Sequence, residues 1–471
     1  MKNNKYVFLT KNIGLFGIGN LFPKILAFIM IPIYTQKITV YEFGMIELIN
    51  TTIQLLLPIF SLSIQEAVLR FVFDSSLQKK HVLSAAIGVV LLGTAAIAVG
   101  MWLLSVWNVF SFDGIYLFYI LILFLVDAIG QSMTRFCRGI DHVATIVMGA
   151  LISSVIASLL KIFLLFTFNL GIHGYIISDV LGTICSILYI LFRAKLYRYL
   201  TIKIPKDLVR SMIRYSLPLI FSALAWWVNN ASDRYILSWL QGISAGGIYA
   251  MSNKIPSIAV VLQVIIQQAW SISVIKEFSK NDEDGFIGNT FTIVNFMTFV
   301  VCSAIMIFNI PIAHLLYSGE FIEAWKYVPI LLVATVLNGA SLFLDSIFLA
   351  VKATKHISVS TIIGAAVNTI FNFIFISLYG TYGAALATVL GFSAGLIYRI
   401  IFINQYIQIR IAWKRQGISF LLLFFQMILA LQGMKWFLLQ TVILIVIMLL
   451  HKQYISDVFS KIKSKLMFEK K

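Results

Sequence analysis

Apolar runs long enough to cross a bilayer recur along almost the whole chain, joined by short connections. A membrane-spanning helix needs roughly 20 mainly apolar residues, whereas a barrel strand needs only about 9–11. Within lipid, a helix satisfies its own backbone hydrogen bonds, so runs of this length are helices. The pattern predicts about fourteen spans: 11–36, 43–69, 82–106, 114–136, 143–168, 172–195, 211–240, 245–275, 286–316, 326–350, 356–378, 381–404, 417–433 and 436–451. Only 12% of residues are charged, against about 25% in a soluble domain. No polar stretch is long enough to form a separate soluble domain.

The net charge of +17 would suggest a nucleic-acid partner in a soluble protein. Here the positive-inside rule accounts for it and no nucleic acid is expected. With the N-terminus inside, the inner connections hold most of the Lys and Arg, and the outer ones hold only Lys37, Lys326 and Lys435. Both termini are then cytoplasmic. A miscounted span would invert every later connection, so the alternation supports the assignment. The first apolar run is too long for a signal-peptide core, and it reads as a retained first helix.

The longest inner connection, 193–214, is also the most basic. It divides the chain into an N-terminal six-helix lobe (1–204) and a C-terminal six-helix lobe (205–410). Residues 411–471 add two spans and a basic tail. The halves resemble each other weakly. "GIHGYIISDVLG" (171–182) and "GTYGAALATVLG" (380–391) carry Gly at the same three offsets. Internal repeats of this size suggest a two-lobed, all-α polytopic transporter.

Polar residues within a membrane face protein or water rather than lipid, and here they align at helical spacing. The second span places Glu47, Asn50, Gln54, Ser61 and Gln65 on one face. In the seventh, Ser222, Trp226, Asn229 and Asp233 share a face with Arg234 beside it. The eighth adds Tyr249, Asn253, Gln263, Gln267 and Ser271, with Lys254 adjacent, and the first offers Gly17, Asn20 and Lys24. Such faces predict a wet cleft. Weak interhelical hydrogen bonding, about 0.6 kcal/mol each, explains Ser154, Ser158, Asn368 and Asn372. It does not explain Lys24, Lys161, Lys254 or Asp233, because a central charge costs at least about 2.5 kcal/mol. Asp233 is expected to find its partner in Lys254 or Lys24.

Several activities lack their residues. There is no GxxxxGK[ST] loop for ATP, and "GLFGIG" (14–19) reads as close helix packing. The His and Cys residues show no metal spacing, so neither a metal nor a cofactor is expected. "NDEDG" (281–285) reads as a loop or a helix N-terminal cap. No nucleophile–base arrangement lies on the outer face, which argues against an enzyme.

"PIYTQKITVYEFGMIELIN" (32–50), "RYSLPLIFSALAWWVNNASDRYILSWLQGISAGGIYAMSNKIP" (214–256) and "NTIFNFIFISLYGTYGAALAT" (368–388) resemble the polysaccharide-export flippases. These belong to the multidrug/oligosaccharidyl-lipid/polysaccharide exporter superfamily, and the nearest likeness is to Wzx-type O-antigen and capsule flippases. The resemblance spans roughly residues 10–405, and the last two spans depart from the twelve-helix members. It implies a MATE-like fold of two six-helix bundles plus a C-terminal pair, placed in a bacterial inner or plasma membrane. The implied cargo is a polyprenyl-diphosphate-linked oligosaccharide, moved from the inner to the outer leaflet by alternating access. Membrane lipids, a polysaccharide polymerase and glycosyltransferases are the implied partners. In that setting Lys24, Lys161 and Lys254 would meet the diphosphate. Sugar hydroxyls would meet Asn50, Gln54, Trp226, Asn229, Tyr249, Asn253, Gln263 and Gln267, with Glu47, Asp233 and Arg234 lining the same cleft. Asp127, Asp233 and Asp345 are candidate ion-coupling carboxylates. The competing readings are an ion-coupled drug exporter of the same fold and, from another class, a membrane polymerase or glycosyltransferase.

Overall fold

The computed structural model describes residues 21–74, 77–106, 114–276, 282, 285–409 and 411–452. Gly17, Asn20, the "GLFGIG" motif and the basic tail from 453 lie outside them. Among the described residues every regular element is helical. Among these residues eleven helices are long and apolar enough to cross a membrane, and a bent pair, counted as one span, makes a twelfth. Leu21–Tyr34 and Met434–Leu450 are shorter apolar helices. The chain divides into two compact units, Met1–Trp227 and Val228–Lys471.

The first unit contains α1 (Leu21–Tyr34), α2 (Val40–Phe60), α3 (Ile64–Val72), α4 (Lys79–Val106), α5 (Gly114–Gly139), α6 (Val143–Phe166) and α7 (Gly171–Arg193). A helix α8 (Lys206–Gln241) carries the division between units. A reciprocal cap starts α2: the Thr39 hydroxyl accepts from the Glu42 N–H, and the Glu42 carboxylate accepts from the Thr39 N–H. Two N-terminal donors are satisfied together. The expected single span 43–69 is instead broken between α2 and α3. Pro58 removes a helical donor there, and Leu62 and Ser63 take left-handed backbone angles. Ile64, Val68, Leu83, Phe124 and Phe136 form part of the fully buried core behind the break.

In the second unit follow α9 (Ile243–Ser252), α10 (Ser257–Lys276), α11 (Phe286–Ile307), α12 (Asn309–Leu316), α13 (Val328–Ala350), α14 (Thr354–Tyr379), α15 (Thr381–Ile403), α16 (Trp413–Leu431) and α17 (Phe437–Leu450). Two expected spans are again broken. The 245–275 run bends by 51° between α9 and α10, where Pro256 lies, and the 286–316 run breaks at Phe308. Asp282, within the "NDEDG" stretch, accepts from the Ile287 and Gly288 N–H groups at 2.9 Å each, so it caps α11. Helix α13 is buried along most of its length, and its Phe343 stacks on Trp270 at 4.2 Å. The C-terminal pair is tied in by Gln426, which accepts from the Ser303 hydroxyl at 2.7 Å and donates to its carbonyl at 3.0 Å.

The repeated glycines occupy matching places. Gly171 and Gly380 both have φ near +55° (+50° and +57°) and sit at the turns opening α7 and α15. Gly182 and Gly391 then bring their hairpins into backbone contact. A Cβ at 182 would lie 2.7 Å from the Ser153 carbonyl oxygen, and one at 391 would lie 2.9 Å from that of Gly364.

Candidate functional site

Of the intramembrane cations, Lys24 lies exposed on α1. Lys161 is differently placed. Its ammonium on α6 meets the Asp179 carboxylate of α7 at 2.7 Å and lies over the Tyr175 ring, 3.7 Å from the centroid. A carboxylate and an aromatic face together replace much of the water that an ammonium loses in the bilayer.

The polar face expected on the second span is divided by the break. Glu47 is buried, Asn50 half-buried and Gln54 exposed on α2. Gln65, on α3, is buried and accepts from the Ser61 hydroxyl at 3.0 Å, so it closes the break. The indole of Trp227 donates to the Thr51 carbonyl at 2.9 Å, which uses a position in α2 where the chain already has a polar run. Its neighbour Trp226 is exposed.

Within the second unit, Asp233 and Tyr249 come together. The Tyr249 hydroxyl donates to Asp233 Oδ2 at 2.8 Å and lies 3.1 Å from the Thr388 hydroxyl. Asp233 Oδ1 accepts from the Arg234 N–H at 2.9 Å. These are the hydrogen-bond partners of Asp233, where a lysine was expected. Asn229 donates to the Thr361 carbonyl at 3.0 Å, tying α8 to α14. Asn253 and Lys254 are half-buried at the α9–α10 bend, with Asn253 donating to the Tyr249 carbonyl at 2.9 Å. Gln263 is buried and donates to the Thr335 carbonyl at 2.9 Å. A Cβ at Gly339 would sit 2.3 Å from its amide nitrogen, so Gln263 is packed between α10 and α13. Gln267 is half-buried one turn further on.

The three candidate coupling carboxylates differ. Asp345 is buried in a two-point contact with Arg399. Asp233 is held by a phenol and a backbone N–H. Asp127, half-buried on α5, lines a cavity inside the first unit.

Asp179, Tyr175, Thr388 and Arg399 were not singled out from sequence, yet Asp179 and Tyr175 hold Lys161, Arg399 holds Asp345, and Thr388 meets the hydroxyl of Tyr249, which holds Asp233. A signal for two of these contacts is present in the sequence. Lys161 and Asp179 stand at equal distances from the turn near residue 170, and Asp233 and Tyr249 nearly so from Gly242. Residues matched in this way across an antiparallel hairpin lie at the same depth.

A family model described as polysaccharide biosynthesis protein matches residues 9–271. A comparison with curated proteins finds no match. The fold is similar to that of a lipid II flippase MurJ in an inward closed conformation. The TM-score is 0.72 at 15% identity, covering 94% of this chain and 99% of that one. It is also similar to an inward-facing multidrug resistance MATE family transporter of the MOP superfamily, with TM-score 0.62 at 14% identity over 87% and 95% of the two chains. A MATE in complex with MaD3S gives TM-score 0.56 at 16% identity over 86% and 94%. The all-helical chain therefore has the MurJ- and MATE-like fold.

Proposed function

From the premise that this chain belongs to the polysaccharide biosynthesis protein family, we propose that it is a flippase for a polyprenyl-diphosphate-linked oligosaccharide. It carries the unit from the inner to the outer leaflet for surface polysaccharide assembly, such as O-antigen or capsule. The observation that carries this reading is the family match joined to a fold shared, over nearly the whole of both chains, with a lipid II flippase.

The chemistry suits such a cargo. A diphosphate needs cations in a wet cleft, and Lys24 and Lys254 supply them on α1 and at the α9–α10 bend. Lys161 acts at one remove, since Asp179 already engages it. Sugar hydroxyls need amides and aromatic faces, which Asn50, Gln54, Trp226, Asn229, Asn253 and Gln267 provide. The lipid tail stays in the bilayer while the head group crosses by alternating access. Asp233, held by the Tyr249 hydroxyl and the Arg234 N–H, is the coupling carboxylate. The role is transport rather than catalysis, in a bacterial plasma membrane with both termini cytoplasmic. The polymerase and glycosyltransferases of the same polymer are its working partners.

The test is complementation of a flippase-null strain, with membrane protein levels matched. Wild type restores surface polymer. Lys24→Ala and Lys254→Ala leave lipid-linked precursor trapped inside. Full surface polymer from both variants would remove the diphosphate site. A second reading, ion-coupled export of small molecules, follows from the MATE likeness. It predicts drug resistance in place of polymer in the same strain.

A further inference from the structure

The 194–205 connection between α7 and α8 lies outside the spans, yet it presents apolar side chains. Ile202 is 99% exposed, and Tyr197 and Leu200 are exposed near it. They are interleaved with cations: residues 193–214 hold seven Lys and Arg against one acid, Asp207. Isoleucine beside lysine on an open surface is unfavourable in water. It suits the surface of a bilayer, where apolar groups enter the acyl boundary and cations stay among the head groups.

The fold holds this connection at that depth. The Thr201 N–H donates to the Ser84 hydroxyl of α4 at 2.8 Å, and Ile204 Cδ1 lies 3.9 Å from where a Cβ at Gly88 would be. Gly88 is about 13 Å along α4 from its first residue, Lys79, at helical rise. The head-group layer is only about 5–7 Å deep on each side of a bilayer. With Lys79 and Lys80 among the head groups, Ile204 reaches the level where acyl chains begin. By the positive-inside rule this is the cytoplasmic leaflet, whose surface anionic lipids make negative.

Ile204 also opens a groove of about 360 Å³ that runs over the first two turns of α8. Lys206, Val209, Arg210 and Ile213 line the rest of it, and their spacing puts them on one helical face. On the neighbouring face Leu208 and Met212 are buried in the core with Leu196 and Phe136, so packing fixes the shape of the groove. Its two cations are exposed and its three aliphatic side chains are half-buried. A matching ligand has an anionic end for Lys206 and Arg210 and an apolar body for Ile204, Val209 and Ile213. A soluble phosphate would leave the apolar wall uncovered, whereas an anionic phospholipid covers both parts.

We infer that this groove is a binding site for an anionic phospholipid of the cytoplasmic leaflet. The lipid phosphate lies on Lys206 and Arg210, and an acyl chain lies along Ile204, Val209 and Ile213.

The experiment uses the full chain purified in detergent micelles. Native mass spectrometry follows retention of phosphatidylglycerol and of zwitterionic phosphatidylethanolamine, and thermal melting follows the response to inorganic phosphate. Wild type is compared with the double variant Lys206→Gln/Arg210→Gln and with Lys435→Gln, which removes an exposed cation from the opposite end of the spans. Wild type should retain phosphatidylglycerol over phosphatidylethanolamine. The double variant should bind phosphatidylglycerol at least about tenfold more weakly, and Lys435→Gln should match wild type. Should the double variant fail to fold, Arg210→Gln alone carries the comparison. Equal retention of phosphatidylglycerol by wild type and the folded variant overturns the proposal, and so does an equal loss in Lys435→Gln. A melting shift with inorganic phosphate that the variant abolishes, without selective lipid retention, would make the ligand a soluble anion and also overturn it. None of these readings measures transport, so their failure leaves the proposed function standing.

Discussion

Arg399 grips Asp345 at two points: Nε donates to Oδ1 at 2.6 Å and Nη2 donates to Oδ2 at 3.1 Å. Both side chains are buried, one on α15 and the other on α13. Removing one member of a buried pair strands the other charge, at a cost of about 3–5 kcal/mol. Arg399→Leu or Asp345→Leu alone should therefore lower the melting temperature sharply, while the double replacement should recover most of the loss. Thermal unfolding of the purified chain reads this. A carboxylate held in this way is a brace for α13, and an additive double mutant would show that it is not.

The lysines should separate by phenotype. Lys161→Ala leaves Asp179 without its ammonium and Tyr175 without its cation, so it should reduce stability by about 2 kcal/mol or more. Lys24→Ala, on an exposed side chain, should leave the melting temperature unchanged and cut export at least about tenfold, the effect of about 1.4 kcal/mol on binding. Measuring melting and polymer export on the same variants distinguishes the two. Equal effects on both quantities for both lysines would contradict the assignment.

Asp233 should set the ion dependence of transport. Asp233→Asn keeps the side-chain shape but removes the charge, and export should become insensitive to collapse of the ion gradient. Tyr249→Phe deletes one hydrogen bond, worth about 1.5–3 kcal/mol to a charged acceptor, and should weaken coupling without abolishing it. Export assays with and without an ionophore measure this. Retention of full gradient dependence by Asp233→Asn would exclude the role.

His451, at the end of α17, is fully buried and its Nε2 lies 3.0 Å from the Ser419 hydroxyl. His451→Leu leaves the buried Ser419 hydroxyl without this partner, at a cost of about 1–3 kcal/mol, and should lower the melting temperature of the purified chain. Adding Ser419→Ala should recover part of that loss, and additive effects in thermal unfolding would contradict the contact.

Much of this was legible in the sequence because lipid enforces it. Span positions follow from length and hydropathy, and the starts of α5, α6 and α15 coincide with the expected ones. The breaks after Phe60 and Ser252 were not read, because the residues around them remain apolar enough to continue a span. A proline and two left-handed residues decide the first, and backbone angles leave no mark on hydropathy. Polar residues were expected to face protein or water, but hydropathy does not distinguish a residue that waits for cargo from one already satisfied by a neighbour. Gln263 and Lys161 illustrate this, since each has a partner on the adjoining helix. The partner is found by comparing depth across a hairpin, which requires the turn to be located first.

The position of Lys161 and Asp179 bears on how the chain enters the membrane during synthesis. A lone central charge costs at least about 2.5–3.5 kcal/mol to insert. Helices α6 and α7 are joined by a four-residue turn, and their opposite charges face each other at 2.7 Å. Delivered together, they present the bilayer with a neutral hairpin. Delivered singly, each would carry its charge unmatched. The pair thus couples the insertion of α6 to the synthesis of α7.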